Sequence, residues 1–265
     1  MLRSMYSGIS GLKNFQTKLD VIGNNIANVN THGFKKGRAV FKDIYSQTVS
    51  GAAAPANGRG GVNPKQVGLG AQLSTVETIH AGGSPQFTGN TLDLAIEGDG
   101  YFEVGTENGE ETYYTRAGNF SLDEEGNIVN AEGYFLKNSN GGIITVDIKA
   151  DTMSVGNNGQ VTQVINGQLE NVGEPIRLVK FNNPGGLEKM GSNYYLPSAS
   201  SGEAVNGTPQ TDGAGKIQSG SLEMSNVDLG EEFTEMIVAQ RGFQANTRVV
   251  TTSDEILQEL VNLKR

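Results

Sequence analysis

The sequence predicts an α+β protein in which a mostly β, glycine-rich middle domain carries N- and C-terminal helices that pair as an α-helical coiled coil. Apolar residues recur every three or four positions near both ends of the chain, as in amphipathic helices. Between them, short β-type runs alternate with glycine, asparagine and aspartate turn signals. The 265 residues include 37 glycines and only 36% hydrophobic residues, so one large hydrophobic core is not expected.

Changes in residue composition and in apolar periodicity divide the chain into four predicted segments. An N-terminal helix and a C-terminal helix, which form one helical domain, flank an extended connector and a β-rich outer domain. In chain order these segments are residues 1–33, 34–74, 75–224 and 225–265, with the connector second and the β-rich domain third.

The N-terminal helix is predicted from one apolar stripe. Its members step by three and four along the chain: Leu2, Met5, Ile9, Leu12, Phe15, Leu19, Ile22, Ile26 and Val29. Such a stripe winds slowly around a helix and is typical of coiled-coil packing. Gly33, in the run NTHGF, is placed to end the helix.

The opposite side of this helix carries asparagines where a solvated helix would use lysine and glutamate. They are Asn24, Asn25 and Asn28. Amides can be buried with hydrogen-bond partners at lower cost than charges, so we expect this face to pack against neighbouring copies. The alternative, that these are fraying and turn residues, suits Asn30 better than Asn24.

The middle of the chain is predicted to be β structure with many turns. Runs such as YFEV, YYTRA, NFSL, YFLK and PIRLVKF are separated by turn signals such as EEGN and NSNGG. The run DEEGN, residues 123–127, is predicted to be a hairpin turn and not a metal site.

The C-terminal helix is predicted to begin after Ser225 or Asp228 as N-cap and to carry two apolar stripes. The first stripe contains Leu229, Phe233, Met236, Phe243, Val250, Leu257 and Val261. The second contains Val238, Ala245, Val249, Ile256, Leu260 and Leu263. With about 100° per residue, the stripes lie roughly 140° apart. The N-terminal helix can cover one stripe, so we expect the other to be an association surface, the alternative being burial in a monomeric core.

Composition excludes several classes of function. The net charge of −9 argues against nucleic acid as the main partner. The basic group Lys35, Lys36, Arg38 and Lys42 is interpreted as a solvated loop. The absence of cysteine excludes disulfides and thiolate chemistry.

Candidate catalytic and metal-ligating residues do not form a recognisable motif. The two histidines, His32 and His80, have no partner motif. Asp93, Glu97 and Asp99 lie close together, but no bidentate glutamate at the required spacing completes a calcium loop. We therefore expect no enzyme activity, no cofactor and no metal site.

Targeting signals are not recognised in the sequence either. The first residues, MLRSMYSGISGLKNFQ, lack the unbroken apolar segment of a signal peptide. No apolar run reaches the roughly 18 residues needed to span a bilayer, so membrane insertion is not expected. These signals alone predict a cytosolic protein.

Three blocks of sequence resemble the bacterial flagellar rod and hook family. The N-terminal block SGISGLKNFQTKLDVIGNNIANVNTHGFKK is similar to the family signature L-D-x-I-x-N-N-I-A-N-x-x-T-x-G-F-K. The internal runs TLDLAIEGDGYFEV and YTRAGNFSLDEEGNIV resemble its first β segment, and the last 41 residues, from SNVDLGEEF, resemble its terminal helix. The blocks stand in the family order and span nearly the whole chain.

This resemblance implies a structural subunit that self-assembles into a polymer of many copies. In such a polymer the terminal helices stack into an inner tube and the β domain lies outside as a sleeve. The implied partners are the other axial proteins of the flagellum: the rod, the hook cap and the hook–filament junction. Export through the flagellar type III apparatus is also implied, which would replace the cytosolic prediction with an extracellular location.

The stripes and the asparagine face then become predicted subunit contacts. These are Leu2, Met5, Ile9, Leu12, Phe15, Leu19, Ile22, Asn24, Asn25, Ile26, Asn28, Phe233, Met236, Phe243, Val250, Ile256, Leu257, Leu260 and Leu263. Phe41 and Tyr45 resemble the aromatic export-gate pattern, the alternative being that aromatics four apart pack on a helix.

Within the family, the closing block and the run TLDLAIEGDGYF are most similar to the short hook proteins of Gram-positive bacteria. This similarity favours a flagellar hook subunit. The glycine-, alanine- and proline-rich stretch 50–70 favours the alternative, a rigid distal rod protein of the basal body. A third hypothesis, from another class, is a secreted carbohydrate-binding β domain, motivated by the pairs Tyr113–Tyr114 and Tyr194–Tyr195.

Overall fold

The computed structural model describes residues 2–55, 60–107, 109, 111–211 and 213–263. The side chain of Leu2, a predicted contact residue, lies outside this description. Within the described residues, the elements are two long helices and twenty strands. The α+β class predicted from the sequence is therefore confirmed.

The helices are α1, Leu2–Ala27, and α2, Leu229–Asn262, and a short 3-10 turn spans Pro184–Gly186. The strands are β1 Gly37–Asp43, β2 Ser46–Ser50, β3 Lys65–Gly68, β4 Ala71–Thr78, β5 Pro85–Phe87, β6 Leu94–Glu97, β7 Tyr101–Gly105, β8 Thr112–Thr115, β9 Phe120–Leu122, β10 Ile128–Asn130, β11 Phe135–Leu136, β12 Thr152–Val155, β13 Val161–Ile165, β14 Gln168–Asn171, β15 Leu178–Lys180, β16 Glu188–Gly191, β17 Tyr194–Leu196, β18 Val205–Gly207, β19 Lys216–Ser219 and β20 Ser221–Glu223.

Contacts divide the chain into two units. The helical unit contains Met1–Ala27, Gly37–Thr78 and Asp228–Arg265. The β unit contains Asn28–Lys36 and Ile79–Val227. Residues 28–36 thus belong with the β unit, whereas residues 37–74 of the predicted connector belong with the helices. About half of the connector lies in the paired strands β1–β4.

In the helical unit, α1 and α2 lie side by side and run antiparallel, since Gly8 is near Val250 while Lys18 pairs with Glu235. Strands β1 and β4 form an antiparallel ribbon with one bulge, and β2 and β3 form another. Helix α2 begins after Asp228, whose carboxylate accepts hydrogen bonds from the backbone of the first helical turn. Of the two N-caps the sequence allowed, Asp228 is therefore the correct one.

The end of α1 differs from the prediction. The helix ends at Ala27, two residues before the last apolar residue of the predicted stripe, Val29. Gly33 lies farther along, with φ +70°, and a Cβ there would meet the backbone nitrogen of Ala117 at 2.6 Å. Gly33 is therefore required where two backbone segments of the β unit approach closely, and it does not directly end α1.

The β unit is built on a nine-stranded antiparallel sheet. Its path is β16-β17-β8-β7-β11-β10-β9, and β15 pairs with both β7 and β18. All five residues of β7 are buried. The core is formed by apolar side chains from successive strands, including Phe102, Val104, Ile128, Leu136 and Leu178. β-Branched and aromatic residues of the predicted β runs therefore supply much of the core.

The predicted hairpin turn at residues 123–127 is present. The Asp123 carboxylate accepts hydrogen bonds from the backbone nitrogens of Glu125 and Asn127 at 2.9 and 2.8 Å. Gly126 takes φ +83°, the left-handed conformation that favours glycine. Among the described helices, none combines the length and apolar character needed to cross a bilayer.

Candidate functional site: the helix pair and its exposed faces

The two helices approach closely at glycines. A Cβ on Gly242 would lie 2.4 Å from Cζ of Phe15, so the Phe15 ring occupies the space that a side chain would fill. A Cβ on Gly11 would lie 2.7 Å from Oδ1 of Asn246. Glycine inside a helix costs roughly 1 kcal/mol relative to alanine. Packing of α1 against α2 explains why glycine occupies these positions despite that cost.

Further small or polar residues of the two helices lie along this seam. A Cβ on Gly8 would lie 3.2 Å from Cγ2 of Val250. The buried residues of α2 are Glu232, Ala239 and Ser253. Helix α2 therefore turns none of its largest apolar residues fully inward.

A polar clamp joins both helices to the first strand. Asn25, which is 2% exposed, accepts a hydrogen bond at Oδ1 from the Gly37 nitrogen at 2.9 Å. Its Nδ2 donates to the Gly37 carbonyl at 2.9 Å and to Oε2 of Glu232 at 3.1 Å. An ion pair between Lys18 and Glu235 lies farther along the same seam. One amide thus fixes α1 to the backbone of β1 and to the first turn of α2.

The predicted asparagine face separates into three different environments. Asn25 is buried inside the chain and its amide is used there. Asn24 is exposed, and Asn28 is half-buried, with its Oδ1 accepting a hydrogen bond from Thr31. The asparagine pattern alone does not distinguish Asn25 from its neighbours. The spacing does give a signal, because Lys18, Ile22 and Asn25 are four and three residues apart and therefore lie on the same face of α1, the face at the seam.

The second apolar stripe of α2 is exposed along its whole length. Exposure of its large side chains ranges from 43% to 82%: Val238, Val249, Ile256, Leu260 and Leu263. Ala245, in the same stripe, is exposed as well. Within the described residues of the helical unit, nothing covers this face. Exposed apolar surface of this extent is typical of an association surface.

The first stripe of α2 is only partly covered. Met236, Val250 and Leu257 are half-buried, whereas Phe233 and Phe243 are exposed. Leu229 and Val261, from the same stripe, are also exposed. Helix α1 therefore covers the first stripe only in part. The seam instead runs between the stripes, through the small residues that allow the close approach.

On α1, the predicted contact residues also differ in exposure. Ile22 is buried and Ile9 is exposed. The others with a described side chain are half-buried: Met5, Leu12, Phe15, Leu19 and Ile26. Ile22 and Asn25 therefore make their contacts inside the subunit, and a role between subunits stays a prediction for the more exposed members.

The residues of the predicted export pattern are not helical. Phe41 lies in β1 and is half-buried, and Tyr45 follows that strand and is exposed. The alternative that this aromatic pair packs on one helix is therefore wrong.

The β unit contains a buried ion cluster that the sequence pattern did not predict. Lys35, interpreted as part of a solvated loop, is 0% exposed. Its Nζ pairs with the Glu223 carboxylate and donates to the Ala81 carbonyl at 2.9 Å. Arg116 Nη1 donates to the other oxygen of Glu223 at 3.3 Å. Burial lowers the pKa of Lys35, and the charge of Glu223 opposes that shift. No local signal distinguishes Lys35 from Lys36, because the burial depends on partners far along the chain.

The acidic residues considered as metal ligands have other partners within the β unit. Asp93 is buried and accepts a hydrogen bond from the Thr88 hydroxyl at 2.5 Å. Glu97 and Asp99 each face a lysine, at 2.9 and 4.0 Å. Across the described residues, no group of three or more His, Cys, Asp or Glu is arranged to hold a metal ion.

The tyrosine pairs that motivated a carbohydrate-binding domain are largely inside the β unit. Tyr114, Tyr194 and Tyr195 are buried. Tyr113 packs against the main core cluster. These rings do not form the exposed aromatic platform that sugar binding would need.

Comparisons with known proteins agree with the three blocks. A model of the flagella basal body rod protein matches residues 5–35, the flagellar hook protein FlgE/F/G D1 domain matches residues 95–163, and the flagellar basal body rod FlgEFG protein C-terminal matches residues 218–263.

Full-length relatives are also found. The flagellar basal-body rod protein FlgG of Bacillus subtilis is 58% identical over 267 residues, covering all of both chains. That of Caulobacter vibrioides is 38% identical, covering 99% of this chain and 100% of the relative. The flagellar hook protein FlgE of Borreliella burgdorferi is 30% identical over a 443-residue alignment that covers all of both chains. The rod alternative is thus better supported than the preference for a hook. The chain belongs to the flagellar FlgE/F/G family of rod and hook proteins, structural components of the bacterial flagellum.

Proposed function

We propose that this chain is the distal rod subunit of the flagellar basal body, a rigid part of the drive shaft, and not the hook subunit. The observation that carries the proposal is the 58% identity over the full length of a rod protein, against 30% for a hook protein whose alignment needs 443 positions. The hook interpretation rested on the similarity of two sequence runs, the closing block and TLDLAIEGDGYF.

The ribbon that follows α1 supports the rod proposal. The stretch 50–70, which favoured a rod, contains Ser50, the last residue of β2, and all of β3. Val49, Val62 and Val67 on this ribbon are exposed apolar residues. A paired ribbon with exposed apolar side chains offers a surface that can contact neighbouring subunits.

The helix pair supplies the proposed surface for self-assembly. The exposed second stripe of α2 and the exposed part of its first stripe lie on different sides of the seam, so one subunit can contact two neighbours through α2. We propose that these contacts build the inner tube. The predicted contacts that remain exposed, such as Ile9, Phe233 and Leu260, belong to this surface.

The proposed partners are further copies of this chain and the other axial flagellar proteins: the rod, the hook cap and the hook–filament junction. Delivery by the flagellar type III export apparatus is also proposed, with Phe41 and Tyr45 as the aromatic pattern it would recognise. The resulting location is the flagellum outside the cytoplasm. The cytosolic prediction rested only on missing targeting signals.

Immunogold imaging of isolated flagella tests rod against hook. An epitope can be inserted at Asn166 and Gly167, an exposed turn with positive φ between β13 and β14. In a motile strain we expect gold on the basal-body rod and none along the hook. The same epitope in the strain's hook protein is the control and should label the hook. Label from the tagged chain along the hook would overturn the rod proposal.

A further inference from the structure

The β unit contains a cleft of about 450 Å³ beside the buried ion cluster. Gly100, Phe181, Ala81 and Pro184 form the apolar part of its wall. The polar part of the wall comes from His80, Asp99, Tyr101, Arg116, Lys180 and Asn182. A cavity of this volume can admit a small molecule or a side chain.

Arg116 in this wall has an unused donor. The side chain is 2% exposed, and its Nη1 donates to Glu223. Its guanidinium carbon lies 5.1 Å from the centre of the Tyr101 ring. Its Nε–H finds no hydrogen-bond acceptor among the residues that the structure describes. This nitrogen is itself closed to solvent, and Arg116 lines the cleft through its other atoms. The buried positive charge of Arg116 therefore acts on any ligand that enters the cleft.

The charged groups around the cleft carry a surplus of positive charge. Lys35 and Arg116 share the single carboxylate of Glu223. At the rim, Lys180 lies 4.0 Å from the Asp99 carboxylate, and both side chains are well exposed. The three cations therefore face two carboxylates, and one of these carboxylates is largely solvated. A positive surplus in a partly dry cavity favours an anionic ligand.

Aromatic contacts hold the remaining wall in place. The Tyr101 hydroxyl and His80 Nδ1 form a hydrogen bond of 2.7 Å. The Tyr195 ring meets both His80 and Tyr101 edge-on, with each centroid distance 5.6 Å. Burial, together with the nearby positive charges, lowers the pKa of His80 to about 4. At neutral pH the imidazole is thus uncharged and acts as a fixed hydrogen-bonding group.

We propose that this cleft binds a small oxyanion, a carboxylate or phosphate group, with the Arg116 guanidinium and the Lys180 ammonium as its main partners. Arg116 supplies a fixed, buried charge, and Lys180 supplies a mobile charge at the rim. The anion has two chemical sources: a free ion, or an acidic side chain of a second copy of this chain. This inference does not depend on the choice between rod and hook.

The test follows the Arg116 Nε–H resonance of the labelled full-length chain by NMR. Sodium acetate and then inorganic phosphate are added at constant ionic strength, with chloride as the balancing ion. We expect a saturable shift of this resonance and of the Gly100 amide. Shifts that stay linear for both anions, and that are equal at surface lysines, would overturn the proposal.

Two matched variants locate the charge requirement. Lys180→Gln should weaken anion binding by about twofold to fivefold, the effect of one exposed charge. Lys216→Gln is the control, because Lys216 has a similar exposure of 45%, against 41% for Lys180, and also pairs with a carboxylate. Equal affinity in both variants would contradict a role for Lys180.

A third variant and a dilution series separate the remaining outcomes. Arg116→Lys keeps a positive charge near Glu223 but removes the planar guanidinium, so a folded variant should lose the saturable binding. If dilution of the chain without added anion shifts the Arg116 resonance, and acetate restores it, the source is a carboxylate of a second copy. If dilution has no effect while an added anion saturates, the source is a free ion.

Discussion

The polar clamp around Asn25 gives a prediction whose magnitude can be worked out. Asn25→Ala removes two hydrogen bonds to the Gly37 backbone and one to the Glu232 carboxylate. Neutral hydrogen bonds contribute about 0.5–1.5 kcal/mol each, and one to a charged group about 1.5–3 kcal/mol. Gly37 is half-exposed, so water can replace part of the loss. We expect the clamp to lose about 2–4 kcal/mol.

Native-state amide exchange measures this loss directly, because the Gly37 N–H donates to Asn25. A loss of about 2–4 kcal/mol corresponds to an increase in exchange of about 30-fold to several-hundred-fold. The amide of Ile79, which donates to the Lys36 carbonyl inside the β unit, should keep its exchange rate.

The control is another amide side chain on the same helix. Gln16 is exposed on α1, and Gln16→Ala should leave Gly37 exchange unchanged. If Asn25→Ala accelerates Gly37 exchange by less than about threefold, the three hydrogen bonds contribute too little to hold α1 against β1. Equal acceleration at Ile79 would instead mean that the substitution unfolds the chain globally.

Three further predictions concern the association surface, the seam and the pH dependence of stability. Leu260→Asp should prevent polymerisation while circular dichroism still shows a folded β unit, because an unpaired buried ion costs several kcal/mol. The control Gln258→Asp, at an exposed position, should polymerise. Normal polymers of Leu260→Asp would refute the contact. Gly242→Ala should destabilise the chain by about 1–3 kcal/mol in urea because the ring packed on it must move. Gly23→Ala, where no atom lies within 4 Å of the new Cβ, should stabilise α1 by about 0.5–1 kcal/mol, and the opposite order of the two glycines would contradict the seam. The pKa of His80, about 4 when folded and 6.5 in the unfolded chain, means that the unfolded state binds more protons between these values, so stability should fall as pH drops from 6.5 to 4. Because the ring is partly solvated, the loss should be below about 3 kcal/mol, and urea titrations of His80→Gln should show a flatter pH profile.

Periodicity was sufficient to predict the helices and the exposed stripe, because both depend on residues close in sequence. The stripe that contains Ile256 and Leu260 follows from helix geometry alone, and the N-cap at Asp228 is a local signal. Asn25 and Lys35 could not be predicted in this way. Their burial depends on Glu232 in one unit and on residues far along the chain in the other, and neither partner has a fixed spacing from them.

The composition of the seam also explains why the exposed stripe is more than an incidental patch. A helix pair that is stable as a monomer would turn its largest apolar residues inward, because burial contributes about 25 cal/mol for each Å² removed from water. Helix α2 does the reverse, since it buries a glutamate, an alanine and a serine. Its exposed apolar residues include Phe233, Ile256 and Leu260. Most of the free energy that this helix can gain from burying apolar surface is therefore not gained within one subunit. We propose that contact with further copies buries that surface.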